Sequence, residues 1–306
     1  MRIRRRQFVS FDGTRLTSHA AGDPEAPPLV LCGGLGGGVG IWRPLFERLA
    51  REHRIVSWDY RGLYASEPAA DARAYSLPAH ARDLLELLKQ EGIESPILAG
   101  WSMGVQVALE VHRECPDLAA GLVLLHGTAG RPLDTAFDSP LSARVSPWVL
   151  AGLRMAGRRF AWIGPSLTRV PAVVNAFVSA SQRLGMMSAQ IDVAGFRDMA
   201  EEWTRLHLGI YARIFEELGE HDASDLLESI RAPALVIAGG ADRFTPPSAA
   251  ERMAEALPNA RFEVVPGATH FGLLEFPDEI LDRVERFLRE RRAEPPCDPR
   301  EVSSGA

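Results

Sequence analysis

The residue pattern with the clearest chemical potential is the segment Gly100-Trp101-Ser102-Met103-Gly104, a serine with a glycine two positions away on each side. An apolar run at 96–99 precedes the segment, and a run of helical period at 105–111 follows it. A serine on a sharp strand-to-helix turn needs small neighbours, because its backbone is strained and crowded. The following helix points the positive end of its dipole at negative charge that forms on a substrate. The sequence therefore predicts that Ser102 is a nucleophile.

An acid and a base follow two further apolar runs nearer the carboxyl terminus. Asp242 comes after the run 234–238, and His270 comes after the run 262–265. Loops at the carboxyl ends of parallel strands share one edge of a sheet, so both side chains can meet Ser102 despite their distance in sequence. We therefore predict that His270 is the general base and that Asp242 orients its ring.

Each of these residues also has an ordinary structural explanation. Asp242 could cap a turn before a helix, and His270 could be a loop histidine whose hydrogen bonds are satisfied. Among the other histidines, His126 is the strongest competitor for the role of base, because it ends a strand at the same edge. No acid follows His126 in a comparable place, so the sequence favours His270.

A glycine-rich loop at 32–38 follows the apolar run 28–31. It could be mistaken for a phosphate-binding loop, but no starting position satisfies G-x-G-x-x-G, and a Walker loop needs a lysine that is absent here. A flexible loop at the carboxyl end of a central strand can instead bring a backbone N–H towards the serine. We predict that the amides of Leu35 and Met103 form an oxyanion hole.

The elements predicted to position these residues alternate along the chain. Short apolar runs bounded by Gly, Pro and Asp alternate with segments of helical period, a pattern that predicts an α/β fold with a mostly parallel sheet covered by helices. Strands are predicted at 3–9, 14–20, 28–32, 54–58, 96–100, 121–126, 233–238 and 261–265. The first two are predicted to form an amino-terminal hairpin. Helices are predicted at 42–51, 78–90, 103–114, 248–257 and 277–291.

The interval 131–231 interrupts this alternation. It contains no strand-like run, only amphipathic stretches such as 171–183 and 196–218. We predict an inserted helical cap there, an α/β core at 1–130 and 232–293, and a disordered tail at 294–306. The predicted cap contains three tryptophans, Trp148, Trp162 and Trp203. They could line a ligand site or form the cap's own core. Outside the cap, Trp42, Trp101 and Phe271 are predicted to contact the substrate.

The composition excludes several other classes of function. With 46% hydrophobic and 24% charged residues the chain is globular, and a net charge of -6 argues against binding to nucleic acid. The three cysteines lie far apart without metal-ligand spacing, which predicts neither a disulfide framework nor a metal site. No secretory signal or transmembrane run is evident, so we expect a cytoplasmic protein without stable membrane association.

The chain resembles the α/β-hydrolase superfamily, and more narrowly its cofactor-independent bacterial group of carboxylesterases, C–C bond hydrolases and haloperoxidase-like perhydrolases. The resemblance covers roughly 15–291 and rests on the chain order Ser, Asp, His. It rests also on the segment 58–66, WDYRGLYAS, which is similar to the family's D-x-R-G-x-G-x-S, and on Arg231-Ala232-Pro233 before the acid-bearing run. It implies cleavage of an ester-type bond in a small-molecule acyl substrate through an acyl-enzyme, without a metal or organic cofactor.

The sequence departs from the family pattern at two places. The usual His-Gly of the oxyanion loop is Gly33-Gly34 here, which removes a loop-bracing side chain, and the second glycine of D-x-R-G-x-G is Tyr64. Some members carry the acid after the strand that precedes the cap, which would be Asp134 or Asp138. A thioesterase, lactonase, acyltransferase or C–C bond hydrolase would use the same triad, and a non-catalytic ligand-binding protein could retain it. The sequence leaves these alternatives and the oligomeric state open.

Overall fold

The computed structural model describes residues 3–136 and 170–293. Its centre is an eight-stranded sheet in the order β1-β2-β4-β3-β5-β6-β7-β8. The strands are β1 (Arg4–Val9), β2 (Arg15–Ala21), β3 (Pro28–Cys32), β4 (Arg54–Trp58), β5 (Ile97–Trp101), β6 (Gly121–Leu125), β7 (Ala234–Gly239) and β8 (Ala260–Val265). The first two form a hairpin, β2 pairs antiparallel with β4, and every later pair is parallel. The carboxyl ends of β3 and β5 to β8 therefore meet at one edge.

Helices lie on both faces of this sheet. They are α1 (Arg43–Leu49), α2 (Leu77–Glu91), α3 (Met103–Glu114), α4 (Pro132–Thr135), α5 (Pro171–Arg183), α6 (Val193–Glu202), α7 (Leu208–Glu220), α8 (Pro247–Ala256), α9 (Gly272–Glu275) and α10 (Pro277–Ala293). Short 3-10 turns occur at Val39–Trp42, Ala72–Tyr75, Trp203–Arg205 and Ser224–Ser229. None of the helices in the described ranges is both long and apolar enough to cross a membrane.

The strands are short and apolar because both of their faces are buried. Along β3, Val30 and Cys32 belong to the core that packs under α2, α3 and α8. Leu29 and Leu31 point the other way, into the core formed with α1 and α10. Strands buried on both faces read as continuous apolar runs, which is typical of a parallel sheet between helices. The prediction of this sheet is confirmed, with each strand within one residue of its predicted bounds.

Helices occupy the described part of the chain between β6 and β7, without a strand in 132–136 or 170–229. The amphipathic stretch 196–218 does not form one continuous helix. That stretch divides into α6 and α7, since the chain tightens into the 3-10 turn at Trp203–Arg205 and is extended at Leu206. Nδ1 of His207 then accepts a hydrogen bond from the amide of Ile210 (3.3 Å) and caps α7. Trp148, Trp162, Asp138 and the predicted tail lie outside the described residues.

A buried ion pair links the amino-terminal hairpin to α2. The side chains of Arg61 and Asp83 have no exposed surface, and the Arg61 Nε donates to Oδ2 of Asp83 over 2.9 Å. Arg61 also donates to Asp12, over 2.7 Å, in the turn that joins β1 to β2. The arginine of the segment 58–66 is therefore a structural residue that holds three parts of the chain together.

Candidate active site

Ser102 lies on the tight turn between β5 and α3. Its backbone has φ +55° and ψ -119°, a left-handed conformation that non-glycine residues rarely adopt. The surroundings leave no room for larger neighbours: a Cβ added to Gly104 would overlap the carbonyl oxygen of Cys32, and one added to Gly100 would overlap the backbone of Gly104. The two glycines thus permit a strained turn that presents Ser102 at the carboxyl edge of the sheet.

His270 connects Ser102 to Asp242. It lies in the loop between β8 and α9, and its Nε2 is 2.8 Å from Oγ of Ser102. Its Nδ1 is 2.9 Å from Oδ2 of Asp242, which follows β7. The indole Nε1 of Trp101 donates to the carbonyl oxygen of His270 over 3.0 Å. The structure therefore brings the predicted serine, histidine and aspartate into one continuous chain of contacts.

The carboxylate of Asp242 is fixed by its own loop. Oδ1 accepts hydrogen bonds from the amides of Phe244 (2.8 Å) and Thr245 (3.0 Å). Oδ2 accepts from Oγ1 of Thr245 over 2.8 Å and faces His270. Burial alone raises the pKa of Asp242, but its contacts with His270 and His126 outweigh burial and hold the pKa well below the usual value. The group is accordingly an anion that can hold a proton on Nδ1 of His270.

The competing residues occupy other positions. His126, directly after β6, is buried at φ +46°, with Nδ1 3.7 Å from Oδ2 of Asp242. Neither of its ring nitrogens has a hydrogen-bond partner among the described residues, so the imidazole that contacts Ser102 is that of His270. Asp134 is exposed in α4, while Asp242 makes the contact with His270. Asp138 lies outside the described residues.

The glycine-rich loop after β3 lies against the serine. A Cβ on Gly34 would be 3.0 Å from Cβ of Ser102 and would overlap the ring of Trp101, so only glycine permits this approach. Leu35 follows in the loop, and Met103 is the first residue of α3. Within the part of the chain that the structure describes, no protein group accepts a hydrogen bond from the amide of Leu35 or Met103. Both amides remain able to bind an oxyanion.

Comparison with known protein families shows the family to which the chain belongs. A family model described as the alpha/beta hydrolase fold matches residues 27–277, which is most of the chain. The chain belongs to the α/β-hydrolase family.

Relatives of this hydrolase include a polyketide synthase, ThaQ, of Burkholderia thailandensis, which is 30% identical over 87% of the chain. The chain spans only 12% of the length of that protein. A pimeloyl-acyl-carrier-protein methyl ester esterase of Aeromonas hydrophila is 26% identical, with coverage of 86% of this chain and 96% of the relative. The crystal structure of a hydrolase from Pseudomonas aeruginosa superposes with a TM-score of 0.74 at 25% identity, covering 93% and 98% of the two chains.

The aromatic residues predicted to contact substrate differ in their exposure in the hydrolase. Trp42 has no exposed surface and packs in the core, and Trp101 is 3% exposed beneath the glycine loop. Phe271 keeps part of its surface and packs edge to face against Phe196 of α6, at 5.6 Å between ring centroids. Of the three, Phe271 therefore has the best access to a bound acyl group.

Two residues that make hydrogen bonds around the candidate site of the hydrolase were absent from the sequence prediction. Thr245, which hydrogen-bonds Asp242, could have been found from its position three residues after the acid. Glu275 is buried, and its carboxylate accepts hydrogen bonds from the amide and the hydroxyl of Thr269, both over 2.7 Å. It also accepts from the amide of Ser188 over 2.7 Å. No sequence signal marks Glu275, because one of its partners lies far away along the chain.

Proposed function

We propose that this hydrolase cleaves carboxylic ester bonds of small molecules through an acyl-enzyme, with Ser102 as nucleophile, His270 as general base and Asp242 as the acid that orients it. The observation that carries the proposal is the unbroken path from Oγ of Ser102 through His270 to Oδ2 of Asp242, with steps of 2.8 and 2.9 Å. Family membership and the name of the Aeromonas esterase support an ester-like bond as the target.

The first half of the reaction forms the acyl-enzyme. Nε2 of His270 takes the proton from Ser102 while Oγ forms a bond to the carbonyl carbon, and the π electrons move to the carbonyl oxygen. The amides of Leu35 and Met103 bind that oxyanion, and each such donor contributes about 3 kcal/mol of transition-state stabilisation. The intermediate collapses, its bond to the leaving oxygen breaks, and His270 passes its proton to the departing alcohol.

The second half repeats these steps with water as the nucleophile. His270 removes a proton from water, whose oxygen attacks the acyl carbon, and the bond to Oγ of Ser102 breaks as the proton returns to the serine. The carboxylic acid product leaves. Asp242 acts in both halves, because its anionic Oδ2 keeps Nδ1 protonated and stabilises the imidazolium that forms in each transition state.

We also propose that the helices between β6 and β7 belong to a cap that selects the substrate. In the hydrolase, Phe177, Phe196 and Trp203 of this segment form an aromatic cluster, and Phe196 also contacts Phe271 beside the site. An apolar wall of this kind suits an acyl group. Thioesterase, lactonase, acyltransferase and C–C bond hydrolase activities would use the same acyl-enzyme. A screen of p-nitrophenyl esters of graded chain length, followed by thioesters and lactones, distinguishes the ester, thioester and lactone activities.

Substitution of Ser102 tests the nucleophile. We expect Ser102→Ala to abolish p-nitrophenyl ester turnover with an unchanged melting temperature, because only the attacking oxygen is removed. A fluorophosphonate should label Ser102 in the wild type, as read by peptide mass spectrometry. Ser229→Ala, at an exposed serine distant from the site, is the control and should keep wild-type turnover. Near-wild-type activity in Ser102→Ala, or labelling at another serine, contradicts the proposal.

A further inference from the structure

The glycine-rich loop of the hydrolase is continued by the 3-10 turn that begins at Val39, and the two are treated together as residues 33–40. This longer loop makes two hydrogen bonds with consecutive residues of the segment between β6 and β7. We infer that Glu202 and Trp203 are positioning residues that hold this loop, residues 33–40, in the conformation that directs the Leu35 amide at the oxyanion. The inference rests on the proposed function, since it assumes that Leu35 is an oxyanion donor. It adds a dependence of the reaction rate on residues outside the core.

The loop cannot fix its own shape. Six of its eight residues are glycine, and glycine loses more backbone freedom on ordering than any other residue. Inside the loop, the amide of Gly37 donates to the carbonyl oxygen of Gly34 over 3.1 Å. One such turn does not determine the position of a neighbouring amide to within the few tenths of an ångström that an oxyanion hole needs. Contacts from outside the loop must therefore provide the rest.

The core supplies the contacts on the strand side of the loop. The hydroxyl of Tyr60 donates to the carbonyl oxygen of Gly33 over 2.7 Å. The ring of Trp101 packs so closely under Gly34 and Gly37 that an added Cβ on either would overlap it. These contacts hold the inner surface of the loop. On the outer half, the ring of Tyr64 from the segment after β4 lies against Gly38.

Residues of the inserted segment supply the contacts on the outer side. Nε1 of Trp203 donates to the carbonyl oxygen of Gly36 over 2.6 Å, and Gly36 is the residue next to Leu35. Oε2 of Glu202 accepts from the amide of Gly40 over 3.3 Å. The ring of Tyr211 lies against Gly36, which is buried and whose φ of +86° permits this turn. Two consecutive side chains thus hold both ends of the outer half.

The charge state of Glu202 changes the strength of one of these contacts. Burial, with a smaller contribution from Asp59, raises the pKa of Glu202 to about 7 against the opposing effects of the Gly40 amide, His19 and Arg205. Arg5 and Tyr64 line the same cavity of about 260 Å³. A carboxylate accepts a stronger hydrogen bond from an amide than a neutral carboxyl group does. The bond to Gly40 is therefore stronger above pH 7 than below it.

Trp203→Phe isolates the indole hydrogen bond. Phenylalanine keeps an aromatic ring against Phe177 and Phe196 but has no N–H for Gly36. We expect kcat for the best p-nitrophenyl ester to fall about tenfold with KM nearly unchanged, because the contact acts on the transition state. The affinity for phenylboronic acid, which forms a tetrahedral adduct with a serine, should fall by the same factor. If Trp203 had only a structural role, the substitution would lower the melting temperature, and kcat and the affinity for phenylboronic acid would not fall by the same factor.

Glu202→Gln isolates the effect of charge, since glutamine remains a neutral acceptor for the Gly40 amide. The ratio of wild-type to variant kcat should be near one at pH 5.5 and rise to about fivefold at pH 8.5, with its midpoint near pH 7. Glu201→Gln is the matched control, because Glu201 is the exposed neighbour on α6. The ratio of wild-type to Glu201→Gln kcat should not change with pH.

The outcomes separate this inference from the proposed function. An unchanged kcat and boronate affinity in Trp203→Phe overturn the role of Trp203, and a pH-independent ratio for Glu202→Gln overturns the role of Glu202. If Ser102→Ala is inactive in the same assay, only the bracing of the loop has failed. If Ser102→Ala keeps its turnover, the proposed function itself has failed.

Discussion

At the scale of single residues, the site depends on how completely Asp242 is held. Two amides bind one of its oxygens, and a hydroxyl and an imidazole bind the other. A carboxylate with this many donors cannot rotate, so Oδ2 stays directed at Nδ1 of His270. The orientation of the His270 ring is thus constrained by the turn at 242–245 as well as by the histidine's own loop.

Asparagine at position 242 tests this role, because it keeps the shape of the side chain and removes the charge. We expect Asp242→Asn to lower kcat about 10⁴-fold, since the amide favours the wrong tautomer of His270. Asp134→Asn and Asp138→Asn should stay close to the wild type in the same assay. If Asp134→Asn or Asp138→Asn instead showed the large loss of kcat, and Asp242→Asn were nearly neutral, the orienting acid would be Asp134 or Asp138.

The proximity of Ser102, Asp242 and His270 could be predicted because each lies within a few residues of the end of an apolar run, and parallel strands bring the ends of such runs together. The contacts of Glu202 and Trp203 with the loop could not be predicted, because more than 160 residues separate the partners in each pair. No local pattern encodes such a contact. It arises from the way in which the inserted segment packs on the core.

At the scale of secondary structure, strands could be located more securely than the helices of the insert. Burial on both faces makes a strand a continuous apolar run with sharp ends, as in β3 and β7. The amphipathic period of 196–218 continues across the turn at Trp203–Arg205, so periodicity alone could not reveal the break. The indole bond of Trp203 and the capping side chain of His207 belong to that turn.

The turn at Ser102 depends on close contact between α3 and β3. A methyl group at Gly104 would overlap the carbonyl oxygen of Cys32, so either α3 or the start of the glycine loop must move. We expect Gly104→Ala to cost about 2–3 kcal/mol, to lower the melting temperature by about 5 °C or more in calorimetry, and to reduce kcat.

The matched control for this substitution is Gly130→Ala. A Cβ at Gly130 would have its nearest neighbour at 3.9 Å, and its φ lies outside the left-handed region, so alanine should be accommodated. A Gly104→Ala variant as stable as Gly130→Ala would mean that α3 is not packed against β3 as described.

At the scale of the whole molecule, the Arg61 network joins the hairpin, the segment after β4, and α2. We expect Arg61→Met to lower the free energy of unfolding by about 3–5 kcal/mol, because it leaves the buried carboxylate of Asp83 without its partner. The measurement is urea denaturation. The double variant Arg61→Met/Asp83→Leu should recover much of the loss, since no buried charge then remains unpaired. Equal losses in the single and double variants would contradict this explanation.

The tie between the glycine loop and Glu202 and Trp203 also limits how the molecule can be recombined. A chimera that exchanges 131–231 for the matching segment of another family member would replace both loop contacts in one step. Its turnover would then depend on whether the donor segment presents an indole N–H and a carboxylate at the same places, whatever acyl group it accepts. Residues 33–40 should therefore be exchanged together with the insert. A library that shuffles the two segments separately would contain fewer active chimeras.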